Sequence, residues 1–137
     1  MKTFSCTLPL GVPSLKNNKR ILTNRATGKP FIASSTANKS WRKDAVLILR
    51  AYRNAQIGVG NCFTECDVSL FVTDKSKRKY DLSNKAETIM DALVDAGVIA
   101  DDNRFCVRCL CLLNRKTPTL TKDGWEIIIT GEIGETK

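Results

Sequence analysis

The chain has 137 residues, of which 42% are hydrophobic, and this length fits one compact domain with a modest core. The 22 lysine and arginine residues outnumber the 14 acidic residues, and the net charge of +8 favours a polyanionic partner such as nucleic acid. No apolar run approaches the ~20 residues that cross a bilayer, and the N-terminus lacks a signal core, so we expect neither a membrane protein nor an exported one.

The first half of the chain predicts a strand, a hairpin and a helix. Residues 3–9 alternate and are rich in β-formers, which favours an opening strand. Two short β-rich pieces, 21–23 and 31–33, flank the turn formers of a basic tip and indicate a hairpin. After a serine cap, apolar residues recur at helical spacing over about 18 residues, with Trp41 and Tyr52 on the core-facing side.

The second half predicts strands on both sides of another helix. Residues 66–74 alternate as a strand, and a helix then runs from about Asn84 to Gly97, which takes the C′ position. Residues 106–113 and 125–129 predict two more strands, which we expect to pair antiparallel. The order β, hairpin, α, β, α, β, β predicts a single α+β domain, with two main helices packed on a small mixed β-sheet.

Charge is unevenly distributed along this order of elements. Residues 1–43 hold nine lysine or arginine residues and no acid, and this asymmetry suggests a binding face rather than a merely soluble basic surface. Residues 80–103 hold six of the 14 acidic residues and directly follow the cationic run 75–79. A negative segment beside a positive one is the pattern expected of a site for divalent metal and phosphate.

Six cysteines raise the alternatives of a disulfide framework and a zinc site. The strand pattern places Cys109 and Cys111 on one face and Cys106 on the other, whereas a zinc knuckle needs a turn that brings its thiolates together. The chain has no histidine to complete a mixed site. We therefore expect buried free thiols in a reducing cytoplasm.

The acidic stretch carries carboxylates at both ends of its helix. Asp81 follows a predicted strand, and Asp101 and Asp102 lie in the turn that returns to the sheet edge, so all three could serve Mg²⁺ or Mn²⁺, which take oxygen ligands. Spacing alone favours a purely structural interpretation of these residues as strongly as a metal site. In that interpretation Asp81 caps the helix, Asn84 and Glu87 form a capping box, and the D-D-N segment is a turn.

The central part of the chain resembles a family signature; it reads KRKYDLSNKAETIMDALVDAGVIADDNRF. The signature is that of the RusA family of Holliday-junction resolvases, in which basic residues precede D-L-D-N-x-x-K, then D-A-L, A-G and a closing D-D. A looser resemblance covers LPLGVPSLKNNKR and FIASSTANKSW. The resemblance implies a RusA-like homodimer that cuts four-way DNA junctions symmetrically with Mg²⁺ or Mn²⁺ in recombination and repair. It also implies a cytoplasmic, nucleoid-associated protein encoded by a bacterium or phage.

Two motif positions depart from that family. Ser83 stands in place of the second aspartate and Glu87 in place of the lysine, and each change alone could abolish catalysis. The two positions are four apart on one helical face, so the Glu87 carboxylate can reach toward the place of the missing aspartate. The role of the lysine would then pass to Lys79, Lys85 or another basic residue.

The resemblance and these departures define the predicted site. Its catalytic metal ligands are Asp81, Glu87 and Asp102, with Asp101 as a further ligand. The residues expected to support them are Ser83, Asn84 and Asp91. The predicted DNA contacts are basic and amide residues of the first loop, the cationic run and the following helix: Lys16, Asn17, Lys19, Arg20, Lys77, Arg78, Lys79 and Lys85.

Rival functions share the same residues. The main rival is a junction-binding protein that has kept its basic channel and has weak or no cleavage activity. A second is a nuclease that acts on flaps, forks or other branched DNA. A protein-binding acidic patch without a nucleic acid role does not account for the basic first third.

Overall fold

The structure, a computed structural model, describes residues 1–9, 19–23, 25–34, 36–73, 82–115 and 124–135. No helix in these ranges is long and apolar enough to span a membrane. The helices and strands, in chain order, are β1 (Lys2–Leu8), β2 (Lys19–Thr23), β3 (Pro30–Ser34), α1 (Thr36–Gln56), β4 (Asn61–Thr73), α2 (Leu82–Asp95), β5 (Val107–Asn114) and β6 (Gly124–Glu135).

Four strands form a mixed sheet in the order β1-β6-β4-β5, and β2 and β3 form a separate antiparallel hairpin. β6 is antiparallel to both of its neighbours, whereas β4 and β5 are parallel and are connected through α2. α1 packs against β1 and α2, and α2 packs against β5, so both helices cover the same face of the sheet. The predicted α+β class, with two helices on a small mixed sheet, is confirmed.

The expected antiparallel pairing of the last two strands is wrong. β6 lies between β1 and β4, and β5 is the edge strand beside β4. The physical reason is burial: Trp125, Ile127 and Ile129 of β6 all face the core, whereas most side chains of β5 are exposed. Placing the more apolar strand between two neighbours buries more apolar surface than a hairpin at the sheet edge would.

The start and the end of α2 show how far local signals determine a helix. Gly97 closes it at φ 75°, with its N–H donating to Val94 O and the Val98 N–H donating to Leu93 O, both at 3.0 Å. This Schellman arrangement confirms the predicted C′ residue. The helix begins at Leu82, so Asn84 is its third residue and is not the N-cap that the capping box of the structural alternative requires.

The core lies between the helices and the inner face of the sheet. Phe4 packs edge-on against Phe63 with ring centres 6.4 Å apart, and Trp41 is buried as predicted. The segment after α2 is tied to the start of β4, because the Phe63 N–H donates to Val98 O and the Ala100 N–H donates to Phe63 O, each at 2.8 Å. This anchoring directs the D-D-N turn back toward α2 and β5.

Candidate functional site

A cavity of about 630 Å³ lies between α2, β5 and the turn that joins them. We call it the acidic cavity. Its polar lining residues come from α2 and the turn and are Ser83, Glu87, Asp91, Asp102 and Arg104. Its apolar walls come from α2 and β5 and are Ala86, Met90, Val107, Leu110 and Leu112.

One side of α2 supplies three of the polar groups. Ser83, Glu87 and Asp91 follow one another at intervals of four residues, which brings them onto the same face of the helix. Another face carries Ile89 and Leu93, which are fully buried in the core. Packing of that apolar face therefore fixes the direction in which the polar face points.

The D-D-N turn positions the third acidic side chain of the cavity, Asp102. Asp101 Oδ1 accepts the Asp102 N–H at 2.7 Å, and Asp101 Oδ2 accepts an N–H of the Asn103 amide at 3.0 Å. Asn103 Oδ1 in turn accepts the N–H groups of Phe105 and Cys106 at 3.0 and 3.1 Å. Asp101 thus closes its own turn and does not line the acidic cavity, whereas Asp102 does.

The carboxylates of the acidic cavity influence one another. Burial raises the pKa of Asp91 above its ordinary value; Arg42 lowers that pKa, and the negative charges of Asp102, Asp95 and Glu87 raise it further. Carboxylates from α2 and from the turn therefore lie within electrostatic reach of each other. Such a set of carboxylates favours the binding of protons or cations, because either one reduces the repulsion between the negative charges.

These donors fit a hard divalent cation in kind. Glu87, Asp91 and Asp102 offer carboxylate oxygens to one cavity, which Mg²⁺ and Mn²⁺ prefer as ligands. In the part of the chain that the structure describes, no three acidic or thiol side chains are already arranged as a metal ligand set. The remaining predicted ligand, Asp81, lies outside the described residues.

The other predicted site residues are spread more widely. Asn84 and Lys85 lie in α2 and are half-buried, but neither lines the acidic cavity. Lys19 and Arg20 belong to β2. The predicted DNA contacts that lie outside the described residues are Lys16, Asn17, Lys77, Arg78 and Lys79.

Arg104 is a cavity residue that the sequence reasoning missed. Its guanidinium carbon lies 4.5 Å from the centre of the Phe105 ring, and its side chain lines the acidic cavity. The available signal was its position directly after the D-D-N turn, where the basic residue follows the acidic pair. The apolar wall from β5 was also missed, because the wrong pairing of β5 placed that strand elsewhere.

Asp95, near the end of α2, is exposed but is paired with a residue of the other helix. Its carboxylate pairs with Arg42 of α1, with Arg42 Nη2 at 2.5 Å from Oδ2, and its backbone oxygen accepts an N–H from Arg50 at 3.1 Å. The side chain remains 43% exposed. Asp95 therefore links the two helices beside the acidic cavity.

The cysteines divide into two groups. Cys6, Cys62, Cys66 and Cys106 are buried free thiols, as expected, and burial raises the pKa of both Cys6 and Cys66 to about 12. Cys109 and Cys111 are exposed, with their sulfurs 3.7 Å apart, so the expectation of burial is wrong for this pair. They project from the edge strand β5, on which most side chains are exposed.

Comparisons with known proteins give little guidance. No model of a known protein family matches the chain, and no curated protein matches it. A solved structure of 2C-methyl-D-erythritol 2,4-cyclodiphosphate synthase from Plasmodium vivax is similar with a TM-score of 0.41 and 11% identity, over 99% of this chain and 97% of that one. A similarity of this strength carries no argument about fold family or function.

Proposed function

We propose that this protein is a metal-dependent endodeoxyribonuclease that binds four-way DNA junctions as a homodimer and cleaves them symmetrically. The observation that carries the proposal is the meeting of Glu87 and Asp91 of α2 with Asp102 of the returning turn in one cavity. The resemblance to the RusA signature supplies the reaction, and the net charge of +8 suits a DNA partner.

The metal-binding residues of the proposal are Asp81, Glu87 and Asp102, with Asp91 beside them. A bound Mg²⁺ or Mn²⁺ would polarise the scissile phosphodiester and activate water for attack. The raised pKa of Asp91 supports the proposal, because a carboxylate set that favours protons also favours a divalent cation.

The two motif departures receive a physical role in this proposal. Ser83 and Glu87 both line the acidic cavity, so Glu87 restores the acid that Ser83 does not supply. Arg104 supplies the cation that the motif lysine would provide, and its guanidinium can bind two phosphate oxygens. The apolar wall from β5 keeps water away from one side, which strengthens the attraction between Arg104 and a phosphate.

The test is a nicking assay on a synthetic four-way junction, with and without Mg²⁺ or Mn²⁺. We expect Asp102→Asn to lower the cleavage rate by about 100-fold or more while junction binding is retained. Asp44→Asn is the matched control, because Asp44 is an exposed acid on α1 that does not line the acidic cavity. Cleavage by Asp102→Asn at the wild-type rate would reject the site.

The same assay tests the proposed exchange between Ser83 and Glu87. Glu87→Lys alone should remove cleavage, because it takes away a carboxylate, and adding Ser83→Asp should restore at least part of it. A double variant no more active than Glu87→Lys contradicts the exchange. Binding without any cleavage favours the junction-binding rival, and no binding near physiological salt rejects both functions.

A further inference from the structure

A second cavity, of about 560 Å³, runs along α1 beside the end of α2. We call it the α1 groove. Four cations line it, together with Leu47 and one acid, Asp95; the cations are Lys39, Arg42, Lys43 and Arg50. Four positive charges against one negative charge leave the groove with a net charge of +3.

Helical spacing arranges these cations as a stripe. Lys39, Arg42, Lys43 and Arg50 recur on one side of α1, and the 11 intervals from Lys39 to Arg50 correspond to about 16 Å of helix axis. One strand of duplex DNA carries about five phosphates over this length, since phosphates follow one another at about 3.4 Å along the axis. The stripe therefore has the dimensions of a short stretch of nucleic acid backbone.

The cations of the α1 groove are held in two different ways. Asp95 fixes the arginines, through the ion pair with Arg42 and the hydrogen bond from Arg50 to its backbone oxygen. Lys39 and Lys43 are exposed and are not paired with any acid in the described ranges. The arginines thus give the groove a fixed wall, and the lysines are available to an external anion.

The α1 groove adjoins the acidic cavity. Asp91 lines the acidic cavity and Asp95, one turn later on α2, lines the α1 groove. Arg42 of the groove also lowers the pKa of Asp91. A chain of phosphates that enters the acidic cavity with one phosphate therefore has its neighbours within reach of the cationic stripe. The acidic cavity thus offers carboxylates to a metal ion, and the α1 groove beside it offers cations to the flanking DNA backbone.

We propose that the α1 groove binds the DNA backbone next to the cleaved phosphate, through Lys39 and Lys43. This inference rests on the proposed endonuclease function and adds to it a contact surface on α1. The partner is nucleic acid, because the four cations on one side of α1 and the net charge of +8 of the chain complement a polyanionic backbone.

Binding without cleavage tests this surface directly. The affinity for a four-way junction and for a plain duplex is measured in EDTA by fluorescence anisotropy across a series of salt concentrations. We expect the double variant Lys39→Gln, Lys43→Gln to bind roughly tenfold more weakly near 0.15 M salt. Its slope of log affinity against log salt should fall by about 1.8, because two phosphate contacts of about 0.9 each are lost.

The control is the double variant Lys39→Arg, Lys43→Arg, which keeps both positive charges at the same exposed positions of α1. It should bind within about twofold of wild type with an unchanged slope. Equal affinity and slope for wild type and the glutamine variant overturn the groove, as does an equal loss in the control. If the wild type binds no DNA, the proposed function fails together with the groove. If the wild type nicks the junction and the glutamine variant binds DNA as tightly as the wild type, the groove alone is rejected.

Discussion

Asp91 is half-buried, and its surroundings disfavour its negative charge. Burial raises its pKa above the ordinary value of 3.8, and Asp102, Asp95 and Glu87 add to the effect while Arg42 opposes it. Because the folded pKa lies above the unfolded one, the folded state binds more protons between the two values. The contribution of this group to the free energy of unfolding is therefore present below about pH 3.8 and is lost as pH rises through the folded pKa.

We expect Asp91→Asn to raise the free energy of unfolding at neutral pH in the absence of divalent metal. The amide keeps the shape of the side chain and removes the disfavoured charge. The advantage over wild type should disappear in acid, where Asp91 is protonated. Urea denaturation between pH 3 and pH 7 measures this difference in the free energy of unfolding. Added Mg²⁺ should stabilise the wild type more than the variant.

Asp95→Asn is the matched control for that substitution. It neutralises the next acid along the same helix, but it removes the pair with Arg42, so it should lower stability by roughly 0.2–1 kcal/mol, as expected for an exposed ion pair. If both variants changed stability in the same direction, net charge and not local environment would explain the result, and the interpretation of Asp91 would fail.

At the scale of an element, the turn between α2 and β5 depends on one amide side chain. Asn103 Oδ1 accepts two backbone N–H groups, and its backbone oxygen accepts those of Cys106 and Val107 at 3.1 and 2.9 Å. The Cys106 carbonyl then accepts the Cys66 N–H at 2.7 Å, which joins the turn to β4. This network holds the turn that carries Asp102.

Asn103→Ala should therefore shift Asp102, although Asn103 does not itself line the acidic cavity. We expect a loss of about 1 kcal/mol in the free energy of unfolding, because the Phe105 N–H loses its acceptor and the Cys106 N–H keeps only the backbone oxygen of Asn103. For the proposed nuclease activity, the Mg²⁺ concentration for half-maximal cleavage should rise as well, which a purely structural loss would not cause in the folded fraction. Asn114→Ala, an exposed amide on β5, is the control and should leave both quantities unchanged.

At the scale of the whole molecule, the central position of β6 requires close contact between strands. Gly131 is buried opposite Cys66, and a Cβ at this position would lie 2.6 Å from the Cys66 Cα and 2.7 Å from its Cβ. It would also clash with the backbone oxygen of Glu65. The sheet can close only because residue 131 has no side chain.

Gly131→Ala should lower the free energy of unfolding by about 3 kcal/mol, since backbone atoms of β4 would have to move. The same substitution at Gly134, on the same strand, meets the side chain of Thr64, whose methyl group lies at 2.9 Å and can move by rotation. We expect Gly134→Ala to cost less than about 1 kcal/mol. Equal losses in urea denaturation would contradict the close approach at Gly131.

The sequence by itself determined the features that depend on neighbours within a few residues. The helical periodicity placed Trp41 in the core, Gly97 at the end of α2, and Ser83 and Glu87 on one face. Local spacing is enough for these features because hydrogen bonds within a helix and the conformation of glycine do not depend on distant parts of the chain.

Only the tertiary structure decided which strands meet and which distant side chains share a cavity. The insertion of β6 between β1 and β4, the pair between Arg42 and Asp95, and the place of Arg104 all join segments far apart in sequence. The order of the strands depends on the apolar surface that the whole sheet buries, and this quantity cannot be obtained from any short stretch of sequence.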